Sequence, residues 1–141
     1  MLVKSQTVSD YEGFQKIIKN LEDKGESAVL IISGSRDETG KSWCPDCVKG
    51  IFFFFVNNKP FYAEPVVEKY LSTKITKHLN LVRIELEYHY FKDPKNPFRT
   101  SSKVRLTRIP TLMFWPGIKR LEENECGNDE LLDLFFEDYI S

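Results

Sequence analysis

Trp43-Cys44-Pro45-Asp46-Cys47 is the stretch on which the reading of this chain turns. Cysteines in C-x-x-C spacing within reach of a helix start face the same way, with Cα atoms roughly 5 to 6 Å apart. That separation lies inside the roughly 4.4 to 6.8 Å that a disulfide tolerates, so the pair can open and close with little backbone movement. The spacing alone is a weak signal. Trp43 ahead of it, Pro45 and Asp46 within it, and the apolar run Ala28 to Ile32 upstream make it specific for a thiol-disulfide site.

The polarity of the pair follows from its place on the helix. If Cys44 sits at or just before the first turn, orphan backbone N–H groups and the positive helix end favour its thiolate. The thiolate is the attacking species, so Cys44 is the expected nucleophile. Pro45 falls near the first helical position, where its fixed φ fits and its missing N–H costs nothing. Cys47, one turn deeper, is the expected resolving thiol. Asp46 suits a helix start, yet its charge opposes a neighbouring thiolate, so it is expected to tune the potential with a sign the sequence leaves open.

Working upstream, Leu2 to Val8 reads as a short strand. Ser9 or Asp10 then caps a helix with Tyr11, Phe14, Ile17, Ile18 and Leu21 on one face, stopped near Gly25. Ala28 to Ile32, unbroken and β-branched, suits a strand buried on both faces. Ser33 to Ser42 is a polar loop delivering the chain to Trp43. A strand, a loop and a reactive residue at a helix start is where open α/β sheets carry their chemistry.

Downstream, Ile51 to Val56 is a solid apolar run followed by the turn-like Asn57-Asn58-Lys59-Pro60. It is far shorter than the roughly 20 residues that span a bilayer, and a buried strand is the first reading. Helical spacing returns from Ala63 to Leu79 through Val66, Val67, Tyr70, Leu71 and Ile75. Leu81 to Tyr88 alternates as a half-buried strand, with Val82, Ile84, Leu86 and Tyr88 on one side and Arg83, Glu85 and Glu87 on the other. Asp93 to Pro97 is a loop, and Asn96-Pro97 caps a short helix running to about Lys103. Thr111 to Trp115 and Ile118 to Glu122 read as a hairpin about Pro116-Gly117, and a last helix from Asn128 carries Leu131, Leu132, Phe135, Phe136 and Tyr139. Phe14, Phe114, Phe135 and Phe136 are expected in the core.

The 141 residues are read as a single domain, 1–141, without repeats. A formal net charge of −1 gives no electrostatic case for nucleic acid or a membrane surface. Met1 to Asp10 lacks the apolar core of a signal peptide, and three cysteines cannot all pair within one chain. A reducing, cytoplasmic setting is therefore expected, in which a C-x-x-C is catalytic or metal-binding. A structural zinc site needs about four ligands, and only Cys126, His78 and His89 remain beside the pair. No metal site is expected; Cys126 is read as a free peripheral thiol and the histidines as solvated.

The order β-α-β-α-β-α-β-β-α with C-x-x-C at the second helix resembles thioredoxin, a central mixed sheet flanked by helices. Ile109-Pro110-Thr111 strengthens the resemblance, because that fold places a cis-proline before a strand facing the dithiol, and the backbone of the preceding residue pairs with extended substrate. Gly40-Lys41-Ser42, Glu64-Pro65-Val66-Val67, Lys92-Asp93-Pro94 with Phe98-Arg99, and Glu125-Cys126 extend it over nearly the whole chain. Together they resemble the small cytosolic thioredoxin-related proteins, thioredoxin domain-containing proteins of the Trp-Cys-Pro-Asp-Cys type.

The resemblance implies a disulfide reductase with peroxidase activity, recharged from NADPH through thioredoxin reductase. It implies no bound cofactor, a redox-active disulfide between Cys44 and Cys47, disulfide-containing protein or small-molecule substrates, and a monomer without nucleic-acid or membrane partners. By position Cys44 attacks, Cys47 resolves, Pro45 and Asp46 tune the potential, and Trp43, Ile109 and Pro110 form the substrate groove. The runner-up is a catalytically weak thioredoxin-fold interaction module.

Two departures from the family pattern stand out. Arg83, Glu85 and Glu87 charge one face of a strand that the fold normally covers on both sides. The fourteen residues Gly50 to Ala63 also intervene within the active-site helix. They are read as a family-specific loop or as an in-frame intron carried into protein. Lys49-Gly50 can be encoded with a GT donor, Phe52 to Phe55 by a thymidine tract and Ala63-Glu64 with an AG acceptor. Removal would leave Val48-Lys49-Glu64-Pro65-Val66, close to the family pattern. Translated, the insertion is expected to loosen the helix that carries Cys47 and to impair activity; in the runner-up reading this disruption is what leaves a groove that binds partners without efficient catalysis.

Overall fold

A computed structural model of the chain describes residues 2–50, 55–56, 59–60 and 66–140. Its centre is a five-stranded mixed sheet in the order β1-β5-β2-β6-β7. The strands are β1 (Val3–Val8), β2 (Ala28–Gly34), β5 (Leu79–Leu86), β6 (Thr111–Trp115) and β7 (Arg120–Glu122). β1 and β2 pair in parallel with β5, while β6 runs antiparallel to β2 and β7 antiparallel to β6. The helices are α1 (Tyr11–Asp23), α2 (Pro45–Gly50), α3 (Val66–Thr73), α4 (Tyr88–Lys92), α5 (Pro97–Thr100) and α6 (Asp129–Phe135). The thioredoxin-like architecture expected from the sequence is the one observed.

Every residue of β2 is buried, as its unbroken apolar run requires of a strand with neighbours on both edges and helices on both faces. Adjacent side chains on β6 show how the faces are covered, because successive strand residues point opposite ways. Trp115 meets Phe14 of α1 edge-on at 5.4 Å, and Phe14 in turn packs on Phe98 of α5. Phe114 stacks at 4.4 Å on Phe135 of α6, and Phe136 stacks on Tyr70 of α3. Phe14, Phe135 and Phe136 are buried as expected, and Phe114 is half-buried against them. Three caps fit the sequence reading: Asp10 accepts from the Gly13 amide, Asn96 from Phe98 and Asn128 from Leu131.

Several boundaries differ from the sequence reading. β2 runs on to Gly34, because Ser33 and Gly34 still pair with Glu85 and Leu86 of β5. α3 ends at Thr73 rather than Leu79; the Leu79 amide donates to the Leu2 carbonyl, so strand pairing with the N-terminal segment claims the residue. β5 is an interior strand and mostly buried rather than half-buried, and its Arg83 and Glu85 are paired. Arg83 bonds to Glu68 of α3 and to the Ser5 hydroxyl, while Glu85 holds Arg36. Tyr88 leaves the strand for α4, a helix the alternation concealed, capped by the Glu87 carboxylate at the His89 and Tyr90 amides. α5 stops at Thr100, short of Lys103.

Most of the segment read as an insertion, with the buried-strand reading of Ile51 to Val56 and the start of the helix at Ala63, lies outside the described residues. Within it β3 (Phe55–Val56) pairs antiparallel with β4 (Lys59–Pro60). Among the described residues no helix is long and apolar enough to cross a membrane.

Candidate redox site

β2 and β5 end side by side, with Gly34 opposite Leu86. The Ser35 amide continues the ladder to the Leu86 carbonyl at 2.8 Å before the chain turns away. Residues 36–41 make a tight excursion pinned by the Asp37 carboxylate, which accepts from the Thr39 and Lys41 amides and the Thr39 hydroxyl. Arg36 and Ser42 form an antiparallel bridge across its base. The Trp43 amide donates back to the Ser35 carbonyl, and α2 begins at Pro45. Pro45 takes the first helical position, as its ring geometry favours.

This path sets Cys44 just before the first turn and Cys47 within it. Their sulfurs lie 2.7 Å apart, with the Cys47 thiol donating to the Cys44 sulfur and the Cys47 amide donating to the same sulfur at 3.3 Å. The Ile109 carbonyl, before a cis Pro110, lies 4.0 Å from the Cys44 sulfur. Both cysteines are buried, Cys44 at 5 % exposure and Cys47 fully, so Cys44 is the residue of the pair nearer the surface.

The two thiols are driven apart in acidity. Cys44 is held below the ordinary thiol range, chiefly by the Cys47 S–H that it accepts; burial opposes this, and the Cys47 amide adds to the lowering. Asp46 acts both ways, its carboxylate raising Cys44 and its amide lowering it, which is the ambiguity the sequence left. Cys47 is pushed well above the ordinary range, first because its proton bridges to Cys44 and then by burial, against a smaller opposing effect of the Gly34 amide.

Trp43 is half-buried, with its indole N–H donating to the Leu86 carbonyl at 2.9 Å. Its ring packs edge-on against Tyr88 at 5.2 Å and tilted against Phe91 at 5.7 Å. Ile109 and Pro110 are buried. Trp43, Cys44, Cys47 and Ile109 are thus brought together, with Pro45 and Asp46 exposed on the first turn of α2. His78 and His89 are exposed. Cys126 is not peripheral: it is fully buried, its thiol donating to the Leu121 carbonyl at 3.5 Å and lying 3.7 Å from the Pro110 carbonyl. Burial pushes it up to about 12.

Two residues at the site escaped the sequence reading. The Ser42 hydroxyl donates to the Gly34 carbonyl at 2.8 Å and accepts from the Cys44 amide at 3.2 Å, tying the strand end to Cys44. The Gly34 amide donates to the Cys47 sulfur at 3.4 Å. A glycine ending a buried strand is a signal of close backbone approach, and was available in the sequence.

A family model described as the thioredoxin domain of thioredoxin domain-containing protein 17-like proteins matches residues 7–138. Thioredoxin domain-containing protein 17 of Mus musculus is 34 % identical over 131 residues, covering 92 % of each chain. The Homo sapiens protein of the same name matches with the same identity and coverage. The thioredoxin-like protein Clot of Arabidopsis thaliana is 33 % identical over 108 residues, 74 % of this chain and 70 % of its own. With the match spanning β2 and β5 to β7, the dithiol turn and the cis-proline alike, the chain belongs to the thioredoxin domain-containing protein 17-like family.

Proposed function

We propose that this chain is a dithiol-disulfide oxidoreductase working as a disulfide reductase. The observation that carries the reading is the 2.7 Å approach of the Cys44 and Cys47 sulfurs, with the Ile109 carbonyl 4.0 Å from Cys44. Cys44, the more acidic and more accessible thiol, attacks one sulfur of a substrate disulfide; its own S–S bond to that sulfur forms as the substrate S–S bond breaks, and the other substrate sulfur leaves as a thiolate. Cys47 then loses its proton and attacks the Cys44 sulfur, expelling the second substrate sulfur. Two electrons pass to the substrate, which ends as two thiols, and the protein ends as the Cys44-Cys47 disulfide.

Pro45 and Asp46 set the potential of the pair in this reading. Trp43 and the Ile109 backbone before Pro110 form the groove that receives an extended segment beside the disulfide. Thioredoxin reductase, drawing on NADPH, returns the pair to the dithiol, and no cofactor resides on the chain. Peroxide is a second oxidant for the same thiolate: attack on the O–O bond gives a sulfenic acid and water, and Cys47 releases a second water on closing the disulfide. The cytoplasm is the compartment in which such a dithiol stays reduced.

The test is reduction of insulin or cystine with NADPH and thioredoxin reductase. Turnover abolished in Cys44→Ser supports the reading. Folded wild-type protein without turnover would leave an interaction module with an inactive groove.

A further inference from the structure

The charges on β5 have a second use at its far end. Arg36 and Glu85 meet as a two-pronged pair, Nε to Oε1 at 3.2 Å and Nη2 to Oε2 at 2.9 Å. The Glu85 side chain is only 12 % exposed while that of Arg36 is 42 % exposed, so the fork is shielded on its carboxylate side. Its position in the chain is what gives it reach. Arg36 is bridged to Ser42, whose hydroxyl accepts from the Cys44 amide, and it follows Ser35, whose carbonyl accepts from the Trp43 amide. Glu85 precedes Leu86, whose carbonyl takes both the Ser35 amide and the Trp43 indole N–H. The pair therefore fastens the base of the loop that presents Cys44 to the one strand end on which Trp43 is also hung.

We propose that Arg36 and Glu85 are a positioning pair for the redox site, their fork fixing the loop that sets Cys44 against Cys47 and the Ile109 carbonyl. The proposal deepens the reductase reading and rests on it for its consequence in turnover, not for its geometry. Neither residue touches the sulfurs. The pair acts through Ser42 and Trp43.

A positioning role and a plain electrostatic one make opposite demands. Removing Glu85's charge leaves a cation near the site and removing Arg36's leaves an anion, so a field effect moves the Cys44 thiolate in opposite directions in the two variants. Loss of a clamp moves it one way in both, because each frees the same loop and weakens the same Cys47 hydrogen bonds. Arg36→Lys keeps the charge but has no fork, so a clamp fails there too.

The experiment measures the Cys44 thiolate, by absorbance at 240 nm and by alkylation rate against pH, in Glu85→Gln, Arg36→Met and Arg36→Lys on the full chain. Insulin reduction is followed in parallel. All three are expected to raise the thiolate midpoint and to lose about tenfold in kcat/KM, the scale of a small misplacement of a reacting group. Opposite shifts in Glu85→Gln and Arg36→Met, wild-type behaviour of Arg36→Lys, or no shift at all would each overturn the proposal. If either neutral variant fails to fold, Arg36→Lys decides alone. Absence of reductase turnover in wild-type protein would overturn the functional reading, while the thiolate titrations still decide the positioning role.

Discussion

The backbone amide of Gly34 donates to the sulfur of Cys47 across 3.4 Å, so the end of the central strand and the first turn of α2 share a hydrogen bond at the cysteine pair. The same glycine has no room for a side chain. A Cβ at this position would lie 2.8 Å from Trp43 Cε2 and 2.9 Å from both the Cys44 Cβ and the Ser42 Oγ. Gly34→Ala is expected to push the dithiol turn off the strand, costing about 1–3 kcal/mol as overpacking of a well-filled site does. Urea unfolding measures the loss, and Cys44 alkylation is expected to slow with it; unchanged values of both would show that the turn yields freely.

The Cys47 thiol is the largest influence lowering Cys44. Alkylation of Cys44 is therefore expected to reach half its plateau rate at a lower pH than an unperturbed thiol does. Cys47→Ala removes the S–H donor, and the midpoint is expected to rise, with slower alkylation at neutral pH. A midpoint that stays where it was would transfer the effect to the backbone donors.

Cys126 is raised to about 12 from the ordinary thiol value of 9.0, chiefly by burial. A raised folded value means the unfolded chain releases this proton first. The stability it contributes is fully present below the unfolded value and is lost as pH rises toward the folded one. Between about pH 9 and 12, stability is expected to fall less steeply in Cys126→Ala than in wild type, whatever the cavity costs at neutral pH. Parallel slopes in a urea series across that range would count against it.

Arg83 is 17 % exposed and Glu68 32 %, a pair partly shielded between β5 and α3. Truncating Arg83 removes its bonds to Glu68 and to the exposed Ser5 hydroxyl, so Arg83→Ala is expected to cost about 1–3 kcal/mol, between the losses typical of an exposed and of a buried pair. Glu68→Gln, which keeps an acceptor for Arg83, should cost about 1 kcal/mol or less. A double-mutant cycle by urea unfolding reads both, and additive losses would show the residues to be uncoupled.

Among the described residues the segment Gly50 to Ala63 gives the five-stranded sheet no strand; Phe55–Val56 and Lys59–Pro60 pair only with each other. A variant joining Lys49 to Glu64 is expected to fold and to reduce insulin at least as fast as the full chain. Loss of the folded state on deletion would make the segment integral to the domain. Transcripts continuous through the codons of Phe52 to Phe55 in every abundant message would end the intron reading.

Much of the site was legible because its chemistry is local. Cys44 caps α2 and Pro45 and Cys47 lie in its first turn, so the relation between them is set by local helix geometry, whatever the rest of the chain does. The cis-proline reading at Pro110 succeeded through resemblance, since no local rule assigns it. The charges of β5 misled because alternation reports only that a side chain is polar, not whether a partner waits beside it. Alternation that ran into Tyr88 likewise hid α4, whose start is fixed by the Glu87 carboxylate reaching two amides.

The sequence by itself determined the fold class, the central buried strand and a dithiol at a helix start, since hydrophobic period and cysteine spacing act over a few residues. Only the tertiary structure decided that Arg83 and Glu85 are paired, that Cys126 is buried near Pro110, and that Gly34, Ser42 and Leu86 hold the dithiol turn. Those relations join residues far apart in the chain, and a partner's distance is set by how the sheet and helices close on one another.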